Sequence, residues 1–541
     1  LLVKGREDSV RRCCFFILLL AAALPAWTHD EPIDYDAVNL IRSEGFHRSQ
    51  VMEMARYLTE RIGPRLTGSP QLELANEWTR SLLEEWGLEA RLEAFDFGHG
   101  WSFDRCQVHE LAPFRQPLLA VPKAWTPGTE GPVRGRVVRA DLSSEEDLAK
   151  HKGQLAGAIV LLDPVRVPEQ IKQTMFSRYS EQELEEAERY VIPVEKDDDY
   201  LPRMRKLYAF WPKLSDFLAD EGVVATVEVS SRDNGLLRVD GGGSYGRDEL
   251  PPGVPALVMA SVHYNRLVRL VDDGADVELE VEVEAEFHHG DGVAYNVIAD
   301  LPGTDLADEY VMVGGHLDSW HSGTGATDNG ANCTVVMEAV RILRATGLRP
   351  RRTIRVALWG GEEQGYVGSR SYVERYLATR PEATDPEQLE LPRRLRELTW
   401  PITPLEGHAK LSAYFNLDYG VGRIRGIMTQ ENAAVRPIFE AWLEPNHDLG
   451  ATTVASRSGG GTDHVPFDRV GIPAFQFVQD GLDYGTRTHH SNVDTIDHVP
   501  EQDIMQSAVV LATFIWHAAN RDQMLPRKPL PTKPPEPAEL E

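Results

Sequence analysis

The chain has 541 residues, 42% apolar and 26% charged, with a formal net charge of −28. That length exceeds one simple core and implies two or three units, or one large unit carrying an insertion. The acidic balance excludes the basic footprint that nucleic-acid and anionic-membrane partners require.

In chain order, Lys4, Arg6, Arg11 and Arg12 precede the apolar run CCFFILLLAAALPA, residues 13–26. A basic start, a short apolar run and small residues at its end describe a secretory signal over 1–26, cleaved near Ala26. A membrane-spanning helix needs about 20 apolar residues. The mature chain is therefore expected to be secreted or periplasmic, with no stable membrane association. Cys13 and Cys14 leave with the signal. Cys106 and Cys333 are too sparse for a disulfide framework and are expected as buried free thiols.

Residues 27–115 open with helical spacing in VMEMARYLTERIG and LELANEWTRSLLEEWGL, separated by the turn cluster GPRLTGSP. From 116 to 275 the texture changes to short β-rich runs such as VRGRVVRA, GAIVLLDP and VVATVEVSS, with the charged helical stretch SEQELEEAERY among them. This reads as a separate β-rich module. It carries none of the candidate site residues, so it is expected to shape access and leave the site chemistry alone. Over 276–525 strands alternate with helices: YVMVGG (310–315), TIRVALW (353–359), LSAYFNL (411–417) and PAFQFV (473–478), with TVVMEAVRIL and AVRPIFEAWL between them. Such alternation predicts a three-layer α/β sandwich around a mostly parallel sheet. The Pro-rich, polar segment 526–541 is expected to be disordered.

The ionisable residues follow the strands. His316 and Asp318 come after YVMVGG, Glu362 and Glu363 after TIRVALW, and Asp418 after LSAYFNL. His489, His490 and Asp494 follow PAFQFV through a loop, and Asp328 sits in the glycine-rich HSGTGATDNG. Ligands of open α/β sheets bind outside the carboxyl ends of strands. Each piece alone is ordinary: a strand exit, a turn, a solvated helix start. Together they crowd carboxylates that would repel one another unless cations resolve the conflict. Histidine with carboxylate suits zinc. Five donors with one bridging carboxylate fit two ions about 3.5–4 Å apart.

The segments GGHLDSW, GATDNGAN, LWGGEEQGYVGS, NLD, GGGTDHVPF and HHSNVDT resemble the M28 zinc peptidases, and among them the secreted carboxypeptidase Q-like (plasma glutamate carboxypeptidase-like) group. The resemblance implies the zinc exopeptidase fold, and it makes the β-rich module similar to the protease-associated (PA) domain inserted in many of these enzymes. It implies two Zn2+, one held by His316, Asp328 and Asp418, the other by Asp328, Glu363 and His490. It makes Glu362 the general base acting on a metal-bridged hydroxide, and Asp318 the partner of His316. His464 is given an oxyanion or substrate-orienting role, because it stands where some relatives place a tyrosine. The family register selects His490 over His489; adjacent side chains of an extended loop also point to opposite sides, so only one of the two is expected to reach a metal. Asp494 would support that loop or the imidazole. Asn329 departs from the aspartate common in relatives, and GGEEQG from their TAEEQG. The expected activity is hydrolysis of dipeptides or short peptides as aminopeptidase, carboxypeptidase or dipeptidase, and a homodimer remains open. The rival readings are a one-zinc glutaminyl cyclase-like acyltransferase of the same fold and a non-catalytic binding protein.

Overall fold

The computed structural model describes residues 31–168, 174–191, 200–246 and 253–534. The expected signal over 1–26 lies outside these residues. Two eight-stranded sheets organise the chain. The first runs in the order Glu89–Asp96, Val293–Leu301, Arg352–Trp359, Leu306–His316, Leu411–Asn416, Ala474–Gln479, Ile424–Met428, Thr453–Ala455. Its four central strands are mutually parallel. Two strands at one edge and Ile424–Met428 near the other are antiparallel to their inner neighbours, so the sheet is parallel only in its middle. The antiparallel edge has a plain cause: there the chain leaves toward the second sheet and returns beside itself.

Both faces of the central strands are buried, which is why they read as almost unbroken apolar runs. Alternate residues serve opposite faces. Val311, Val313, Ile354, Val356 and Phe415 join a core with the helices Tyr35–His47, Ala331–Ala345 and Glu501–Asn520. Tyr310, Met312, Ala357, Trp359 and Tyr414 join another with the helices Val367–Tyr376 and His464–Asp468. This is the expected layering of helices on both sides of one sheet.

The second sheet is Gln116–Leu118, Gly100–Ala112, Glu278–His288, Val133–Arg139, Ala158–Leu161, Ala225–Val229, Ala256–Met259, Ala120–Pro122, with its own apolar core. It is wider than the expected 116–275. Gly100–Ala112 and Glu278–His288 pair along their length, so the unit begins at 100 and closes at 288. Among the described residues the chain passes from one sheet to the other at 97–99 and 289–292, and the helix Glu181–Glu188 of the second unit packs on Ala455 and Val478 of the first. Around the crossings Leu66, Phe95, Phe97, Trp101, Trp125 and Trp320 form one apolar cluster drawn from both units.

The expected disordered tail, 526–541, is docked in its first residues. Arg527 donates to the Leu411 carbonyl, and Lys528 Nζ lies 2.8 Å from the Gln430 carbonyl and 2.6 Å from Asp468. Composition predicted no core for this segment, but cation-to-carbonyl contacts need none. Among the described residues no helix is long and apolar enough to cross a membrane. Cys106 and Cys333 are free thiols; Cys333 is buried as expected, whereas Cys106 is half-buried.

Candidate metal centre

Because the central strands are parallel, their carboxyl ends open on one edge, and the candidate residues meet there. His316 is the last residue of its strand. Its Nε2 lies 3.3 Å from Asp328 Oδ1 and 3.3 Å from Asp418 Oδ1. His490 Nε2 lies 3.0 Å from Glu363 Oε2 and 3.5 Å from Asp328 Oδ2. Asp328 thus stands between two groups of donors, one oxygen toward each. Glu362 also reaches the first group: its carboxylate, His316 and Asp418 place ligand-type atoms within 4.8 Å of one another.

Asp328 is buried, and burial alone would raise its pKa. The hydrogen bond from His316 and the charges of His489 and His490 instead hold it below the usual carboxylate range. Burial pushes Glu362 well above the ordinary value, with Asp418 and Asp463 adding to it. Burial likewise raises Glu363 to about 7. His316 and His490 are raised despite burial, chiefly by Asp418 and Glu363 respectively. Asp328 Oδ2 and Glu363 Oε1 are buried without a hydrogen-bond partner. Buried carboxylate oxygens left bare are costly. One of them, Asp328 Oδ2, lies 3.5 Å from His490 Nε2, while the other oxygen of Glu363 faces the same nitrogen, and carboxylates grouped with imidazoles in this way are the donor chemistry of a cation site.

The supporting contacts are specific. Asp318 accepts from Thr67 Oγ1 (3.1 Å) and from the backbone N–H of Glu362 and Glu363 (3.2 Å each), and lies 3.6 Å from His316 Nδ1. One carboxylate thus ties three site segments together. Asp494 accepts from the N–H of Thr327 (2.6 Å) and Asp328 (3.2 Å), so it supports the Asp328 loop and not the imidazole. Asn329 donates to the Leu417 carbonyl at 2.8 Å, a contact that an aspartate could not make.

The adjacent histidines behave differently from the expectation for an extended loop. Their rings lie 3.8 Å apart on the same side, and His489 Nε2 is 3.8 Å from Asp328 Oδ2. The cause is the left-handed backbone of His490, φ +58°, which turns its side chain back toward its neighbour. His464 is buried outside the two donor groups. Its Nε2 faces the Gly459 carbonyl at 3.1 Å, while its Nδ1 has no partner.

Three contributors escaped the sequence. Thr67 lies in a segment that reads only as a turn. Asp463, bonded to Ser369 Oγ at 2.5 Å, is raised to about 8 by burial, beside the charges of His316, Asp318 and Asp418. Asp240 comes from the second unit, and its Oδ1 is 3.1 Å from His490 Nδ1. The β-rich unit was expected to leave the site chemistry alone, but it touches a site histidine.

Residues 296–515 match the model of peptidase family M28. Carboxypeptidase Q of Mus musculus is 24% identical over 485 residues, 89% of this chain and 88% of that protein. A solved peptidase M28 precursor from Shewanella amazonensis superimposes with a TM-score of 0.63 at 24% identity, over 92% of this chain and 99% of that one. BSAP, a zinc aminopeptidase from Bacillus subtilis, gives a TM-score of 0.53 at 16% identity, over 87% and 95%. These likenesses to solved structures show the fold.

Proposed function

Residues 296–515 match peptidase family M28, and on that premise we propose that the chain is a secreted or periplasmic two-zinc exopeptidase acting on dipeptides or short peptides. The observation that carries this reading is Asp328, with one oxygen toward His316 and Asp418 and the other toward His490 and Glu363. A one-metal acyltransferase would need only one of these donor groups. We assign the unit over 100–288 as a PA-like domain, and the N-terminal basic-then-apolar stretch as a secretory signal.

Two zinc ions, when bound, would polarise the scissile carbonyl and acidify the attacking water. Glu362 is the proton carrier. Burial raises its carboxyl, which suits a group that takes a proton from water and hands it to the leaving amine nitrogen. Asp318 holds His316 and the two Glu backbone N–H groups in register. His464 is neutral at physiological pH, since burial lowers it to about 4. With Nε2 donating to the Gly459 carbonyl, its Nδ1 is an acceptor. A neutral acceptor does not suit an oxyanion, so of the two expected roles only substrate orientation is kept.

The test pairs metal analysis of purified protein with mass spectrometry of products from free, N-blocked and C-blocked short peptides. Two zinc ions per chain and cleavage that fails when one terminus is blocked are expected. One ion, or no hydrolysis of any peptide by zinc-loaded protein, overturns the reading.

A further inference from the structure

Within the two-zinc reading, we propose that the second, β-rich unit completes the second metal half-site: Asp240 fixes the tautomer and orientation of His490, so that half-site holds zinc tightly only while the unit is docked. Three observations meet here. First, the backbone of the unit is laced to the histidine loop. Val239 N–H donates to the His490 carbonyl (3.1 Å), Asn492 N–H to the Leu237 carbonyl (3.0 Å), and Leu237 N–H to Asn492 Oδ1 (2.8 Å). Leu237 and Val239 are wholly buried against Val258 and Ala260 of the second unit, so this segment moves with that unit. Second, His490 sits in the left-handed region, which a β-carbon disfavours, and the docked segment holds its carbonyl through Val239 N–H at 3.1 Å, nearer than Ser322 Oγ of the first unit at 3.4 Å.

The third observation concerns the proton. His490 turns Nε2 to Glu363 and Asp328, so a cation there needs Nε2 bare and the proton on Nδ1. Two side chains face Nδ1: Asp240 Oδ1 at 3.1 Å and Arg238 Nη2 at 3.4 Å. Asp240 accepts the Nδ1 proton and selects the tautomer that can ligate. Arg238 has only donors, so it favours a bare Nδ1 and thereby a proton on Nε2, where it blocks the ion. Asp240 is a positioning residue that outweighs a neighbour pulling the other way. The two lie on one short segment, and displacing that segment changes the half-site's preference for metal.

The experiment measures zinc stoichiometry and the two zinc affinities of the full chain by competition with a chromogenic chelator. It compares wild type with Asp240→Ala, Asp240→Glu, and Asp240→Ala combined with Arg238→Ala. Asp240→Ala should weaken the second zinc about 10–100-fold, the usual range for a lost outer partner of a ligating histidine, and leave the first unchanged. Asp240→Glu should recover part of the loss. So should the added Arg238→Ala, because it removes the group that favours the wrong tautomer; a merely structural role for Asp240 predicts no such rescue. Wild-type affinity in Asp240→Ala, or a double variant no better than the single, overturns the proposal. A wild-type count of one zinc overturns the two-metal reading and this proposal with it. A count of two with an unaltered Asp240→Ala overturns only the role given to Asp240.

Discussion

At the scale of single residues, adjacent Glu362 and Glu363 should separate cleanly on substitution. Glu362→Gln is expected to keep both metals and lose about 10²–10⁴ in rate, the usual cost of a missing general base. Glu363→Gln should lose one metal, because Glu363 Oε2 faces His490 Nε2 at 3.0 Å. Metal counts beside peptide-hydrolysis rates decide, and the reverse pattern would exchange the two roles. His490→Ala should retain one metal and His489→Ala both. The latter expectation is the more exposed, since the His489 ring lies 3.8 Å from the His490 ring, tilted by 34°, and its Nε2 is 3.8 Å from Asp328 Oδ2. A buried residue away from the donors supplies a pH test. His321 Nε2 lies 2.7 Å from the Pro122 carbonyl, across the junction of the two units, and burial lowers its pKa from 6.5 to about 4. The unfolded chain takes up this proton near 6.5 and the folded chain only near 4. Stability therefore rises with pH across that window and is lost as pH falls through it, by up to about 3 kcal/mol. Urea unfolding at several pH values should show a shallower slope in His321→Phe than in wild type. His316, Glu362, Glu363 and Asp418 were readable as candidates because each ends a strand or follows one within a few residues, whereas Asp328 and His490 lie farther along the loops that leave those strands. Asp240 was not readable, since no local pattern links residues 250 positions apart.

At the scale of elements, the loop that carries Asp328 is shaped by a side chain that no motif marks. Arg65 is wholly buried, and it donates to the carbonyls of Leu317 (2.7 Å), Gly63 and Thr324 (2.8 Å each) and Gly325 (2.7 Å). Gly325, at φ +61°, closes against it; a β-carbon there would come within 2.3 Å of Ser319 Cβ. Arg65→Met strands these carbonyls. At roughly 1 kcal/mol each, it should cost at least about 3 kcal/mol. Urea unfolding measures the loss, and an unchanged midpoint would remove Arg65 from this account. Sequence periodicity located the central strands and the helix over 334–343 because burial on both faces leaves a strong apolar signal. It missed the helix Tyr200–Asp220, whose buried positions are few, and it placed the second unit's edges inside that unit. The reason is visible in Gly100–Ala112, where exposed and half-buried residues dominate and mask the strand.

At the scale of the whole molecule, two cores share one aromatic junction. Trp101 and Trp125 of the second unit pack with Phe95 and Trp320 of the first, and the strip from Leu237 to Asp240 lies along the histidine loop. Interfaces of this kind couple unfolding. Calorimetry is expected to give a single transition for the metal-loaded chain. Two resolved transitions would show that the units melt separately and that the junction is weak.

The crossings at 97–99 and 289–292 also set an order of events during synthesis. The strand Glu89–Asp96 waits for its partner, Val293–Leu301, which leaves the ribosome only after the whole second unit has been made. That unit closes on pairings wholly within 100–288, so it can fold while the first helices remain unpartnered beside it. A nascent chain stopped before residue 293 would hold all the strands of the second sheet and an open apolar N-terminal arm. For that interval the arm, with Leu58, Leu72 and Leu83 destined for the main core, is the part of the newborn chain most in need of a chaperone.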